Sequence, residues 1–170
     1  MDFQTLKARH RLERDTHHVN LTLRVHRSLS WLQRAEQADD ADGRFVFLWI
    51  AFNAAYATDI DENYRLSEQE TFRAFLRKLC DLDQGRQIEK LVWSEFSGSI
   101  RVLLDNQYVF QSFWDYQNGK ISEQQWTERF ADGRRRAQAA LAQRDTAEVL
   151  AVLFNRIYTL RNQIMHGGAT

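Results

Sequence analysis

The chain has no proline at all and only one cysteine among 170 residues. Without proline no helix interior is forced to break, and seven glycines leave few natural stops. One cysteine excludes an internal disulfide. Cys80 falls on a helical pattern in "RAFLRKLCDLD", so it reads as a small apolar filler in a reducing compartment. Excess charge is also lacking: 23 basic residues balance 23 acidic ones. Global electrostatics therefore make no case for duplex DNA, whose binders neutralise phosphates. The longest apolar run, "FVFLWIAFNAAYA", has 13 residues and contains Asn53. A membrane span takes about 20, so this run reads as a core helix. The opening "MDFQTLKARHRLERD" has no apolar signal-peptide region, and a soluble cytoplasmic protein is expected.

What is present is helical. A chain of this length suits one domain, 1–170, burying about 68–70% of its unfolded surface. Leu21, Val25, Leu29, Leu32 and Ala35 make one stripe over 18–38, and "QADDADG" breaks it, Gly43 being the strongest punctuation. Residues 44–57 are apolar nearly all round, which predicts a helix without a wet face at the centre of the packing. Ser67 with Glu70 forms a capping box opening a helix to about Leu82, burying Phe72, Phe75, Leu76 and Leu79. Ile88, Leu91, Val92, Phe96, Ile100 and Leu103 continue at helical spacing, with "SGS" at 97–99 placed to kink or split the segment.

Residues 105–120 fit no period. "QNGK" is a turn signal that could close a short hairpin, and the crowd of Tyr108, Phe110, Phe113, Trp114 and Tyr116 predicts folding back onto the helices. Single-strand binders stack bases on such aromatics, but packing of a long connection is the simpler reading. Ser122 with Gln125, and Asp145 with Glu148, predict two further capped helices. The last buries Leu150, Leu153, Phe154, Ile157, Leu160 and Ile164 and stops at Gly167. The expectation is an all-α bundle of five to six helices.

Chemistry-bearing residues are few. His10, His17, His18 and His26 have poor ligand spacing, and no cysteine or acidic cluster completes a metal site. There is no Gly-rich phosphate loop and no GxSxG elbow. Arg134, Arg135 and Arg136 step round a helix by about 100° each, which suits a solvated face and, failing that, an RNA-attracting patch. Asn53 and Tyr56 are expected to find partners in the core. In "LRNQIMHGG", Arg161 and His166 are about 140° apart on a helix, whereas Asn162 and His166 are neighbours at i and i+4. As cations near a helix C-terminus, the pair could simply interact with the last carbonyls. Alternatively, a twofold axis could pool two arginines and two histidines in one cleft. Histidine would move protons at the ribose 2′-OH and the leaving 5′-oxygen, and arginine would hold the phosphate.

"RNQIMH" resembles the R-N-x-x-x-H form of the Rx4–6H motif of the HEPN superfamily (higher eukaryotes and prokaryotes nucleotide-binding domain). The "FLWIAFNAAYA" helix upstream and the "HGG" ending look like bacterial HEPN proteins of the abortive-infection, ApeA-like type. The resemblance implies Arg161 and His166 as the catalytic pair of a metal-independent endoribonuclease, with Asn162 in support. It implies no cofactor, a homodimer with its cleft at the interface, and an antitoxin or sensor partner in toxin–antitoxin or phage-defence systems. A catalytically silent member would instead bind nucleotide, RNA or a partner protein. Family members usually continue past the motif, whereas this sequence ends four residues after His166, so either the natural protein is short or this is a C-terminally truncated form.

Overall fold

The computed structural model describes residues 2–56 and 68–166, and every described element is helical. Nine α-helices occur among these residues: α1 (Phe3–Glu13), α2 (Val19–Glu36), α3 (Ala41–Tyr56), α4 (Glu68–Leu82), α5 (Gln87–Lys90), α6 (Ser97–Asp105), α7 (Gln111–Gln117), α8 (Glu123–Ala142) and α9 (Thr146–His166). Six of them, α1 to α4, α8 and α9, are eleven residues or longer. The expected five to six helices are α2, α3, α4, α8, α9 and the 88–103 stretch, whereas α1 was not expected. The 88–103 stretch is divided into α5 and α6, and α7, seven residues long, is too short for its apolar spacing to show a period. No described helix is long and apolar enough to cross a membrane.

Residues group into two compact units, Met1–Arg65 and Leu66–Thr170. In the first, α1 is a helix that apolar periodicity does not announce. Its N-terminus is held twice: Asp2 Oδ1 accepts from Thr5 N at 2.8 Å, and Glu36 of α2 accepts from Phe3 N at 2.8 Å. Phe3 is buried there. Helix α2 covers the predicted 18–38 stripe, but only Leu29 and Ala35 are fully buried, and Leu21 is exposed. The chain turns over Gln37–Asp40, and Trp31 then stacks on Phe47 at 5.8 Å as α3 runs back along α2. Gly43 is not the break. It lies in the first turn of α3, where Asp40 Oδ1 accepts from its N–H at 2.6 Å. A Cβ at this position would sit 2.8 Å from Asp40 Oδ2, so glycine makes room for the cap. Helix α3 buries Trp49, Ala51 and Ala54, yet Ala41 and Leu48 are exposed and its other apolar side chains are half-buried, so the helix does have a wet face. A unit of three helices has too few elements to enclose one of them.

His10 carries a pH dependence into this unit. Burial, followed by the charges of His26, Arg14 and His17, lowers its pKa below the ordinary 6.5, with Glu13 opposing. The folded state therefore binds the proton less readily than the unfolded chain. The contribution to stability is present above pH 6.5 and lost as pH falls through the lowered value. Urea unfolding should show wild type losing more stability than His10→Gln between pH 7 and pH 5. The difference should be small, because the ring keeps contact with solvent.

The second unit is built around α9. Val92, Ile100, Leu104, Ala137, Ala140 and Val149 form its core, with Trp93, Leu141 and Leu153 packed against them. Helix α4 buries Leu76 as predicted and meets α9 through the Phe72–Phe154 edge contact at 5.5 Å and the Arg73–Glu148 ion pair at 3.3 Å. The Ser67 half of the predicted capping box lies outside the described residues. Helix α5 runs into a π-turn, Leu91–Glu95, closed by Phe96 N donating to Leu91 O at 2.9 Å, before α6 begins. The predicted split thus falls just ahead of "SGS". The wide turn brings Leu91 and Phe96 to the rim of an open apolar cleft of about 270 Å³ between this turn, α6 and α9.

After α6 no hairpin forms. A 3₁₀ turn at Gln107–Val109 and α7 occupy the segment instead, and Gly119, at φ +69°, makes the turn that "QNGK" signals. Most of the aromatics fold back as expected, Phe113 and Tyr116 packing on Trp126 and Phe110 on Phe130, whereas Tyr108 stays exposed. Helix α8 opens with the complete Ser122–Gln125 capping box. It closes on Arg144 in the left-handed region, φ 53°, with Asp145 N donating to Ala140 O at 3.0 Å. Glycine usually takes such a position; here the guanidinium lies 4.9 Å over the Trp93 ring, which offsets the backbone cost. At the start of α9, Asp145 Oδ1 caps Glu148 N at 3.0 Å, while the Glu148 carboxylate is engaged with Arg73.

Candidate functional site

Helix α9 continues to His166, so Arg161, Asn162 and His166 all stand on its last turns. The predicted stop at Gly167 lies outside the described residues. Arg161 and Asn162 are half-buried and His166 is exposed. Arg161 Nη1 donates to Asn162 Oδ1 at 2.8 Å. Arg161 Nε is shut off from solvent and has no hydrogen-bond partner among the described residues. One N–H is therefore held by a neighbouring amide, while another finds no partner among the described residues. The amide restrains the guanidinium plane, and a planar guanidinium held in place is suited to gripping phosphate oxygens in parallel. Asn162 and His166, one turn apart on the continuing helix, share its outer side.

The arginine run lies on α8. Arg134 Nε pairs with Asp105 at 2.8 Å, Arg135 pairs with Asp132, and Arg136 is exposed. Two of the three charges thus have an aspartate beside them, which weakens the field they could offer to a polyanion.

One charged residue was not anticipated as part of the core. Arg156, on α9 five residues before Arg161, is only 3% exposed. Its guanidinium lies 4.2 Å from the Phe110 ring and 5.6 Å from that of Phe130, and Nη2 donates to Leu104 O at 3.4 Å. Nε has no partner among the described residues. Burial lowers its pKa to about 10, opposed by the charge of Asp105. The sequence carries a faint signal: Val149, Arg156 and Thr159 are seven and three residues apart, one line of a helix. These three, with Ala151, are the most buried residues of α9, whereas the predicted stripe through Leu150, Leu153, Phe154, Ile157, Leu160 and Ile164 is half-buried. Helix α9 packs against α4, α6 and α8, so more than one side of it is covered and apolarity alone does not identify the innermost side.

Other candidates hold no chemistry. The cleft beside α6 is lined by aliphatic and phenyl groups and the Ser99 hydroxyl. Burial and the charges of Asp81, Asp83 and Asp145 push the Cys80 thiol up, which disfavours the nucleophilic thiolate. No group of three or more His, Cys, Asp or Glu side chains among the described residues could hold a metal ion. Compared with family models, curated proteins and solved structures, the chain matches none of them.

Proposed function

We propose that this chain is a HEPN-type ribonuclease subunit, cleaving RNA in a cleft shared by two copies. What supports the reading is Arg161 restrained by Asn162, with no partner for its Nε among the described residues, and Asn162 one helical turn from an exposed His166, on an R-N-x-x-x-H sequence. One copy has the two groups about 140° apart on the helix, so a second copy is needed to surround a phosphate. In the shared cleft one imidazole takes the proton of the ribose 2′-OH as the 2′-oxygen forms its bond to phosphorus. The bond from phosphorus to the 5′-oxygen breaks, and the second imidazole gives that oxygen a proton. Arg161 holds the non-bridging oxygens, whose charge grows in the transition state. The products are a 2′,3′-cyclic phosphate and a 5′-hydroxyl, and DNA, lacking the 2′-hydroxyl, is not a substrate.

Incubating the purified protein with single-stranded RNA in EDTA, and identifying the ends formed, tests this. Cyclic phosphate ends are expected. Binding of RNA without cleavage would replace this reading with a silent RNA-binding or partner-binding module. No binding of RNA, together with a monomer in solution, would remove the site altogether.

A further inference from the structure

Arg156 of α9 is a buried cation with no carboxylate bonded to it among the described residues, although one stands close by. Its hydrogen bond to Leu104 O is long, Nη2 donating at 3.4 Å, and its Nε finds no partner among those residues. The residue after Leu104 is Asp105, whose carboxylate pairs instead with Arg134 Nε at 2.8 Å. On the α8 side, the residue before Arg134 is Gly133, where a Cβ would lie 3.5 Å from Arg156 Nη2. The buried guanidinium therefore touches the residue preceding each member of this ion pair. The pair itself lies at the surface, its side chains 57% exposed for Asp105 and 47% for Arg134. Burial lowers the Arg156 pKa and the charge of Asp105 opposes it, so that carboxylate already acts on the buried cation.

We infer that Asp105 is a shared counter-ion and forms a switch: Arg134 holds its carboxylate outside, and when that hold weakens the carboxylate turns inward to accept from the Arg156 guanidinium. Two effects set the balance. An exposed ion pair contributes little and is weakened by salt. An inward carboxylate meets a cation that has already lost its water, where attraction is stronger, but it must shed part of its own hydration. Neither position wins by much, and screening acts on the outer one more than on the inner one. Rising salt therefore moves Asp105 toward Arg156 and gives α9 a second bond to the end of α6, where the 105–110 connection begins. The helix anchored in this way carries the candidate site, but the switch does not depend on the nuclease reading.

The test is the melting temperature of the full chain in about 0.05 M and about 1 M NaCl. Removing one member of an exposed pair ordinarily leaves stability unchanged or slightly lower. Here Arg134→Gln should raise the low-salt melting temperature by about 2–4 °C, because Asp105 is released to Arg156. Arg134→Lys keeps a cation for Asp105 and should melt with wild type. The gain from Arg134→Gln should vanish when either Arg156→Met or Asp105→Asn is also present. It should shrink at the higher salt concentration, where wild type makes the exchange itself. A crystal structure of Arg134→Gln should place the Asp105 carboxylate within hydrogen-bond distance of the Arg156 guanidinium. The switch is overturned by no gain from Arg134→Gln, by a gain that survives either second substitution, or by a gain equal at both salt concentrations. A carboxylate still turned to solvent in the Arg134→Gln crystal overturns it as well.

Discussion

Replacing His166 with alanine is expected to lower RNA cleavage by roughly 10²–10⁴-fold, the range for a positioned acid or base. The melting temperature should hardly change, because His166 is exposed on the last described turn of α9. The shared cleft sharpens the expectation, since one substitution removes both imidazoles, the one that takes the 2′ proton and the one that gives the 5′ proton. Arg161→Ala should cost about 10²–10³-fold, as loss of a transition-state donor does. Arg161→Lys should rescue little of it, because an ammonium is a point charge and lacks the planar fork. Asn162→Ala frees the guanidinium that Asn162 Oδ1 holds at 2.8 Å, and its effect should be the mildest. The measurement is initial rate on one labelled RNA, alongside thermal unfolding of each variant. Cleavage that persists unchanged in His166→Ala removes His166 from the catalytic role.

Arg156 is expected to give the largest change in stability. Arg156→Ala should lower it by about 3 kcal/mol, in the range for emptying a large buried side chain. The guanidinium fills the space against Phe110 and Phe130, so truncation leaves a cavity as well as lost ring contacts. Arg156→Met keeps most of the volume and removes the charge. Buried charges replaced by well-packed apolar groups often give equal or greater stability, by about 1–4 kcal/mol. That outcome is favoured here because the nearby Asp105 carboxylate pairs with Arg134, and because Nε has no partner among the described residues. The sign with pH follows from the pKa of about 10. The folded state loses its proton near pH 10, whereas the unfolded chain keeps it to a higher pH. Stability therefore rises with pH between those values, and the cost of burying the charge is constant below pH 10. Urea unfolding of wild type and Arg156→Met at pH 7 and pH 11 reads it as a narrowing difference. A methionine variant as unstable as the alanine one would show that the cation itself, through the rings and Leu104 O, holds α9 to the 105–110 connection.

Features readable from the sequence were those whose causes lie within about four residues. The Ser122–Gln125 box opens α8 because both partners are three residues apart. The stripe over 18–38 locates α2 because helical spacing is local. Helix α1 escaped because what organises it is Glu36, thirty-three residues away, and an Asp2 cap without a following apolar stripe. Gly43 was misplaced because glycine signals a stop unless the cap that bends over it is seen. In the candidate site, Arg161, Asn162 and His166 were legible as a motif, while the bond from Arg161 to Asn162 was not.

By itself the sequence determined that the described chain is helical, where its long helices other than α1 run, and how several of them are capped, since backbone hydrogen bonds and caps are satisfied by near neighbours. Only the tertiary structure decided which side of α9 is innermost, that an arginine belongs there, and which aspartates stand beside the basic run on α8. Burial is set by elements far apart in the chain that cover a helix on several sides, and a periodic pattern shows a covered side without showing what covers it.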